Sequence, residues 1–273
     1  MGMPITQLVK ITHQSKNTLL RLIYRYLDRP PQLLPQTNPK AFLVIDATWF
    51  GRENCLLVYW DTAFKKVQLW RYTNRKEAME EITADLESLK NQGVIPAAIT
   101  SDGAPGLKAA LNYLYPDIPH QRCLVHLQRL AAAFLTQKPK TMAGLRLKQL
   151  TSRLNRINTQ ADHCFWRKDF IHWCNRYCRL LKERSSVPGG HWWYTHRYLR
   201  KTRNMLIKAL PDMWHYLDDC RIPKDTNGLE GRWSGLKQHY RQHRGLSKSR
   251  RMNYLNWYLL VMLNHQLPTR NGY

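Results

Sequence analysis

Three acidic residues occupy positions where carboxylates commonly do chemistry. Asp46 interrupts the apolar run at residues 43–48, Asp102 comes soon after the apolar run at residues 94–100, and Glu230 lies near the start of a late helical segment. A buried charge is costly unless it is paired or bound to a metal, and carboxylate oxygens are the ligands that Mg²⁺ prefers. In a chain with 19 Asp and Glu against 43 Lys and Arg, this arrangement predicts a divalent-cation site.

Two of these carboxylates also have a purely structural interpretation. A strand Asp often hydrogen-bonds a neighbouring loop, so Asp46 alone does not require a metal. Glu230 stands three residues after Asn227, the spacing at which a helix-capping glutamate bonds back to the backbone of the capping residue. The metal interpretation therefore depends on Asp46, Asp102 and Glu230 acting together.

The elements that must carry these residues alternate between strands and helices. Runs rich in β-branched and aromatic residues, separated by turn residues, predict three antiparallel strands at residues 41–48, 55–60 and 67–72. Helical and apolar segments then alternate at residues 75–92, 94–100, 106–114, 118–123 and 124–135. This order predicts a mixed α/β sheet flanked by helices, in which the first and fourth strands can be neighbours and bring Asp46 and Asp102 together.

Residues 143–219 show only helical periodicity, together with an unusual density of Trp, His and Tyr. We interpret them as an all-α insertion in the sheet domain. Within it, a Pro-Gly-Gly turn precedes Trp192 and Trp193, which are predicted either to pack in a core or to stack on an unpaired base at the surface. Two further helical segments are predicted at residues 227–243 and 249–267.

The N-terminal segment predicts two short helices joined by a tight turn. Apolar residues recur at helical spacing on both sides of the turn, and Ser15 is a suitable cap for the second helix. Lys16, Asn17 and Arg21 fall on early, outward positions of that helix, where a helix-turn-helix presents side chains to DNA bases. A helical hairpin that packs on the rest of the chain is the alternative. A Pro-rich stretch follows, which we interpret as a linker.

The overall charge indicates a polyanionic partner. The formal net charge is +24, and each Lys or Arg that meets a phosphate releases condensed counterions, so nucleic acid is the expected ligand. No apolar run approaches the ~20 residues of a bilayer span, which excludes an integral membrane protein. No secretory signal is visible, so we expect a cytoplasmic, nucleoid-associated protein whose six Cys are thiols or metal ligands and not disulfides.

Four motifs occur together and in order along the chain. They are Ser101-Asp102-Gly103, Gln121-Arg122-Cys123-Leu124-Val125-His126, Thr226-Asn227-x-x-Glu230-Gly231 and His243-Arg244-Gly245-Leu246-Ser247. With Asp46 on the first strand, they resemble the Mutator-like superfamily of bacterial insertion-sequence transposases, whose ribonuclease-H-like core carries an Asp-Asp-Glu triad. The similarity covers roughly residues 42–247.

The resemblance implies a DNA transposase that uses Mg²⁺ or Mn²⁺. Its catalytic and metal-binding residues would be Asp46, which bridges two ions, Asp102, which holds one, and Glu230, which holds the other. The implied reaction is two-metal phosphoryl transfer, which cleaves DNA at the transposon terminal inverted repeats and joins the 3′ ends to target DNA. Because two ends must be paired, a homodimer or higher oligomer is expected.

The sequence patterns and the resemblance together predict an organisation in four segments. A helix-turn-helix covers residues 1–29, and the first part of a ribonuclease-H-like core covers residues 40–142. The helical insertion covers residues 143–220, and the C-terminal helices of the core cover residues 221–273.

Further residues are expected to support catalysis or bind DNA. Cys123 and His126 match the family's Cys-x-x-His signature, but no Cys-x-x-Cys accompanies them, so packing or hydrogen bonding is favoured over zinc binding. Lys237, Arg241 and Arg244 belong to a basic cluster, which is either a solvated face or, as the net charge favours, a track for DNA phosphates.

Two other functions compete with transposition. One is a catalytically idle DNA-binding protein, a decayed or truncated transposase that acts as a repressor. The other keeps catalysis but limits it to structure-selective DNA hydrolysis. Asp46, Asp102 and Glu230 argue against the idle protein, because binding DNA does not require three carboxylates. Joining of 3′ ends separates transposition from hydrolysis.

Overall fold

The structure, a computed structural model, describes residues 3–51, 54–73, 78–242 and 245–263. The chain forms two compact units. Unit 1 comprises Met1–Pro96 together with Gly228–Tyr273, and unit 2 comprises Ala97–Asn227. The four segments predicted from the sequence stay predictions, because this division into two units does not test them.

Unit 1 contains the predicted antiparallel meander. Its strands are β1 (Asn38–Phe50), β2 (Asn54–Asp61) and β3 (Lys66–Thr73). β2 pairs antiparallel with both β1 and β3. Each strand extends a few residues beyond the apolar run that predicted it. The β-branched and aromatic residues of these runs pack well on a pleated, buried surface, which is why the sequence predicted them correctly.

Two strands complete the sheet. They are β4 (Val94–Ser101) and the short β5 (His120–Arg122), which run parallel to each other. The division between the two units falls within β4, after Pro96. The strand order is β3-β2-β1-β4-β5, so the predicted mixed sheet flanked by helices is confirmed. A ribonuclease-H-like classification is finer than this topology and remains a proposal.

The α-helices of unit 1 come from both of the chain segments that form it. They are α1 (Ile5–Thr12), α2 (Lys16–Leu27), α3 (Met79–Asn91), α10 (Asn227–Gln242) and α11 (Lys248–Tyr258). Ser15 caps α2 as predicted, because its Oγ accepts a hydrogen bond from the Thr18 N–H at 3.1 Å. Part of the helix predicted at residues 75–92 and part of that at 249–267 lie outside the described residues.

The core of unit 1 lies between one face of the sheet and the C-terminal helices. Buried residues of β1 and β2, such as Val44 and Val58, cluster with Leu236 of α10 and Leu255 of α11. The N-terminal helix pair is anchored to α11, where Asn253 Nδ2 donates to the Leu27 carbonyl at 2.9 Å. The pair therefore packs on unit 1, as the helical-hairpin alternative required, and its DNA-binding role is a proposal.

Unit 2 is largely helical. Its helices are α4 (Pro105–Leu114), α5 (Leu124–Leu135), α6 (Met142–Ser152), α7 (Gln160–Arg176), α8 (Arg197–Ala209) and the short α9 (His215–Asp218). None of the helices in the described parts of the chain has the length and apolar character that crossing a membrane requires.

The prediction of helix alone over residues 143–220 is wrong at one place. A two-stranded hairpin forms there from β6 (Arg184–Ser186) and β7 (Trp192–Tyr194). The Pro-Gly-Gly turn is its cause, because Gly189 and Gly190 adopt φ values of 109° and 97° that side-chain-bearing residues rarely tolerate. Aromatic residues then favour the strand that follows.

Candidate active site

Asp46 is a nearly buried carboxylate on β1. In the antiparallel register it lies opposite Val58 of β2. Because side chains alternate along a strand, Asp46 shares a face with Val44 and Phe50, which belong to the core of unit 1. Its exposure is only 7%. A charge on such an apolar face requires polar partners.

Trp233 of α10 supplies one of these partners. Its Nε1–H donates a hydrogen bond of 2.7 Å to Asp46 Oδ2, and the indole itself is 5% exposed. Breaking this contact would leave a buried indole N–H without its acceptor, which is costly, so the contact ties β1 firmly to α10. Trp233 was not among the residues predicted from the sequence. The available signal was a Trp at a buried helical position, since a buried indole N–H usually finds a partner.

Glu230 lies in the first turn of α10 and is half-buried. It precedes Trp233 by three residues, so the two side chains lie on the same face of the helix. The helix face that is bonded to Asp46 is therefore the face that carries Glu230. Asn227, the predicted capping residue, is instead the first residue of α10 and is exposed. Its N–H donates to Asp225 Oδ1 at 3.0 Å.

In unit 2, Asp102 is half-buried and follows the last residue of β4 directly. Its Oδ1 accepts a hydrogen bond of 2.8 Å from the Ala104 N–H. Gly103 has a φ of 67°, a left-handed conformation that glycine adopts without the steric cost of a Cβ. The turn thus fixes Asp102 between the end of a strand and the start of α4, a place where functional groups gather in α/β sheets.

Two neighbours brace this turn. Ser101 Oγ accepts a hydrogen bond from the Gly103 N–H at 3.0 Å and shares another of 2.7 Å with His120 Nε2. Burial lowers the pKa of His120 to about 4, so its imidazole is neutral at neutral pH. His120 was not predicted from the sequence, because only the parallel pairing of β4 and β5 brings it to Ser101.

Cys123 and His126 form a hydrogen-bonded cluster with Thr226. His126 Nδ1 lies 3.2 Å from the buried Cys123 Sγ, and the Thr226 N–H donates to the same sulfur at 3.3 Å. Thr226 Oγ1 lies 3.5 Å from His126 Nδ1. Thr226 directly precedes α10, so the cluster holds the chain where it enters the helix that carries Glu230.

The predicted DNA-binding residues of the N-terminal helix pair lie at the surface. Lys16, Asn17 and Arg21 of α2 are all exposed. Asn17 and Arg21 also line a groove of about 740 Å³ together with Tyr24 and Arg25. These positions are accessible to a large ligand.

The other predicted DNA-binding residues differ in their exposure. Trp192 and Trp193 on β7 are 45% and 39% exposed, which favours the surface alternative over the core. On α10, Lys237 is half-buried and Arg241 is exposed. Arg244 lies outside the described residues.

The structure gives no grouped ligand set for the predicted metal. Among the residues that it describes, no three His, Cys, Asp or Glu side chains are close enough together to hold a metal ion. In unit 1, Asp46 and Glu230 belong to surfaces joined by the Trp233 hydrogen bond. Both are carboxylates, and their donor chemistry therefore fits Mg²⁺ or Mn²⁺.

Comparisons with known proteins point to one family. Residues 69–186 match the family described as "Transposase, Mutator family". That range contains Asp102, Cys123 and His126, whereas Asp46 and Glu230 lie outside it. The transposase for insertion sequence element IS1201 of Lactobacillus helveticus is 31% identical over 113 residues, which are 41% of this chain. The matched stretch spans 30% of that relative's length.

A solved structure also shows weak similarity. It is a chain of the simian T-cell lymphotropic virus intasome in complex with the PP2A regulatory subunit B56 gamma, determined by cryo-electron microscopy. The two chains are 16% identical, with 57% of this chain and 70% of that one covered, and the TM-score is 0.24. A TM-score this low does not establish a shared fold. The family match and the Lactobacillus helveticus relative each cover less than half of this chain, and both agree with the resemblance that the motifs of the sequence indicate.

Proposed function

We propose that the chain is a DNA transposase that cleaves DNA at transposon ends and joins the 3′ ends to target DNA. The family match supports a transposase role, and the curated relative is the transposase of an insertion sequence. The net charge of +24 fits a protein that binds DNA phosphates. We also propose that the mixed sheet is of the ribonuclease-H-like class.

The observation that carries the proposal is the hydrogen bond between Trp233 Nε1 and Asp46 Oδ2, at 2.7 Å. It holds α10 against β1, with Glu230 one turn before Trp233 on the same helix face. A carboxylate that served only to cap α10 would not need this alignment with a second, buried carboxylate. We therefore propose that the two carboxylates, carried on β1 and on the bonded face of α10, share a cation.

Asp102 is proposed as the third ligand. It stands at the carboxyl end of β4, in a turn braced by Ser101 and His120. This bracing restricts the backbone that carries Asp102, and catalytic groups must be held in place by such supporting contacts.

The three carboxylates would hold Mg²⁺ or Mn²⁺. A divalent cation bound there would activate a water or a DNA 3′-hydroxyl as the nucleophile and would stabilise the oxygen that leaves phosphorus. The chain's own residues do the remaining work. Trp233 holds the Asp46 carboxyl group in place, and the Cys123–His126–Thr226 cluster fixes the chain at the start of α10.

DNA recognition is proposed for residues of three regions. Lys16, Asn17 and Arg21 would contact the transposon terminal repeats, and Trp192 with Trp193 would stack on an unpaired base near the cleavage point. Lys237, Arg241 and Arg244 would contact the DNA phosphates. Because two ends are paired, we propose a homodimer or higher oligomer that acts at the nucleoid.

The experiment is a Mg²⁺-dependent cleavage and joining assay on DNA that carries the element's own flanking ends. Wild type is compared with Asp46→Asn, Asp102→Asn and Glu230→Gln, and with Glu183→Gln as a control for an exposed carboxylate outside the proposed site. We expect cleavage and joining in wild type and the control, and loss of both in the other three variants.

The other outcomes assign other functions. Tight binding to the ends without cleavage in any protein would indicate the DNA-binding repressor. Cleavage without joined products would indicate a structure-selective nuclease. Full activity in Glu230→Gln would remove Glu230 from the site.

A further inference from the structure

A strongly basic groove lies in unit 2, between α4 and α8. Its volume is about 970 Å³, and it is lined by six cationic side chains and one carboxylate, that of Asp212. The cations are Lys108, Arg122, Arg197, Arg200, Lys201 and Lys208. We refer to this feature as the α4–α8 groove. No motif of the sequence pointed to it.

The cations of α8 form a stripe along one side of the helix. Arg197, Lys201 and Lys208 stand at spacings of four and seven residues, which bring side chains to the same helix face. All three are exposed. From the first to the last, the stripe extends about 16 Å along the helix axis, long enough to meet several successive phosphates of a nucleic acid strand.

Contacts with aromatic rings and the backbone hold two of the six cations of the groove in place. The Arg200 guanidinium lies 3.6 Å from the centroid of the Tyr194 ring, and its Nη1 donates to the Leu181 carbonyl at 2.7 Å. Lys201 Nζ lies 4.2 Å from the centroid of the Phe134 ring. Side chains that are ordered before binding lose less entropy when a ligand arrives. The groove is thus preorganised for an anion.

One end of the groove reaches the Asp102 turn. Gly103 and Arg122 both line the groove, and a Cβ built on Gly103 would lie 1.5 Å from Arg122 Nη1. The guanidinium of Arg122 therefore lies directly on the backbone next to Asp102. A strand that follows the cations of α8 toward Arg122 is led to this carboxylate.

At the side of the groove, Tyr194 connects it with the exposed hairpin. Its ring packs edge-to-face on Trp192, with the ring centroids 5.3 Å apart. Trp192 also carries the Arg184 guanidinium 4.0 Å from its ring centroid. A stacking surface thus stands beside a phosphate-binding surface, the combination by which proteins hold nucleic acid strands without reading sequence.

We propose that the α4–α8 groove binds the sugar-phosphate backbone of the DNA strand that is delivered to Asp102. The identity of this strand rests on the proposed function. Phosphate binding by the groove does not, because it follows from the charge and spacing of the lining residues.

The test measures DNA binding by the full-length protein in the absence of divalent cations. Fluorescence anisotropy gives the affinity for a labelled single-stranded oligonucleotide and for its duplex over a range of salt concentrations. The variant is the triple substitution Arg197→Gln, Lys201→Gln and Lys208→Gln. Loss of three phosphate contacts should lower the slope of log affinity against log salt by about 2 for the single strand and nearly 3 for the duplex.

Two matched variants separate the groove from total charge. Arg167→Gln, Lys168→Gln and Lys182→Gln remove the same charge from exposed positions of unit 2 that do not line the groove, and their slope should fall by less than about 1. Lys201→Arg with Lys208→Arg keeps the charge and should keep the slope. A fall in the groove variant no larger than that in the matched variant would overturn the proposal.

The outcome is independent of catalysis. Binding with the expected slope change, but without cleavage, would refute the proposed function and leave the groove established. Cleavage with an unchanged slope would refute the groove alone.

Discussion

Replacement of Trp233 with Phe is the most informative single change in unit 1. The substitution keeps an aromatic ring in the core but removes the indole N–H that donates to Asp46 Oδ2 at 2.7 Å. Both residues are nearly buried, with exposures of 5% and 7%. Water therefore cannot easily replace the lost donor.

The expected cost follows from this burial. A hydrogen bond to a charged group contributes about 1.5–3 kcal/mol. The smaller ring also leaves unfilled volume in the core, which adds to the loss. Trp70→Phe is the matched control. Trp70 is half-buried and donates through its Nε1 to Asn256 Oδ1, a neutral acceptor, at 2.8 Å. We expect that control to cost about 1 kcal/mol.

The assay is urea unfolding of the full chain, followed by circular dichroism, in a double-mutant cycle with Asp46→Ala. The midpoint should fall more in Trp233→Phe than in Trp70→Phe, at an unchanged slope. The coupling energy between positions 233 and 46 should be about 1.5–3 kcal/mol. Equal destabilisation in the two Phe variants, or a coupling energy near zero, would refute the reasoning.

Three further predictions concern unit 2 and the turns. Burial lowers the pKa of His120 to about 4, against about 6.5 when unfolded, so His120 is neutral when folded and the unfolded chain takes up the proton. The contribution of neutral His120 to the free energy of unfolding is therefore retained above pH ~6.5 and lost as the pH falls toward 4, and the loss is about 2 kcal/mol at pH 5. Urea midpoints at pH 7 and pH 5 should show this loss in wild type but not in His120→Asn. Gly103→Ala and Gly51→Ala both place a Cβ at a left-handed φ, 67° and 74°, at a cost of about 1–2 kcal/mol. Only Gly103→Ala should also weaken DNA binding, because its Cβ meets a guanidinium nitrogen whereas that of Gly51 meets nothing within 4 Å; equal DNA affinity in the two variants would contradict this. Elemental analysis of the purified chain should find no stoichiometric zinc, since Cys123 and His126 are engaged with each other at 3.2 Å, and zinc that disappears in His126→Ala would overturn the hydrogen-bonding role.

The strands of unit 1 were predictable because their residues carry a local signal. Apolar, β-branched runs between turn residues predicted β1, β2 and β3 to within a few residues. The cap of α2 was predictable for the same reason, because Ser15 and the Thr18 N–H are close in the sequence. Such features depend on a few neighbouring residues and not on the rest of the fold.

The hairpin of β6 and β7 had a local signal that helical periodicity obscured. Gly189 and Gly190 supply the turn, but the strands beside them are only three residues long. Strands this short give no alternating pattern. Aromatic residues pack equally well on a helix or a strand, so the density of Trp and Tyr did not separate the two.

The partners of the candidate site residues could not be predicted, because they come from distant parts of the chain. Trp233 and Asp46 are joined by a hydrogen bond across 187 positions. His120 reaches Ser101 only through the parallel pairing of β4 and β5. The stripe of Arg197, Lys201 and Lys208 was visible as helical spacing. That the stripe lines a groove could not be predicted, because the other side of the groove is formed by α4.

The central claim is that Asp46, Asp102 and Glu230 hold the divalent cation used in DNA cleavage. The most direct measurement is Mn²⁺ binding, by electron paramagnetic resonance, to the full chain with DNA from the element's ends. Wild type should bind Mn²⁺ tightly and in a fixed ratio, and Asp46→Asn, Asp102→Asn and Glu230→Gln should each lose that binding while the DNA remains bound. Unchanged Mn²⁺ binding in the three variants would contradict the account.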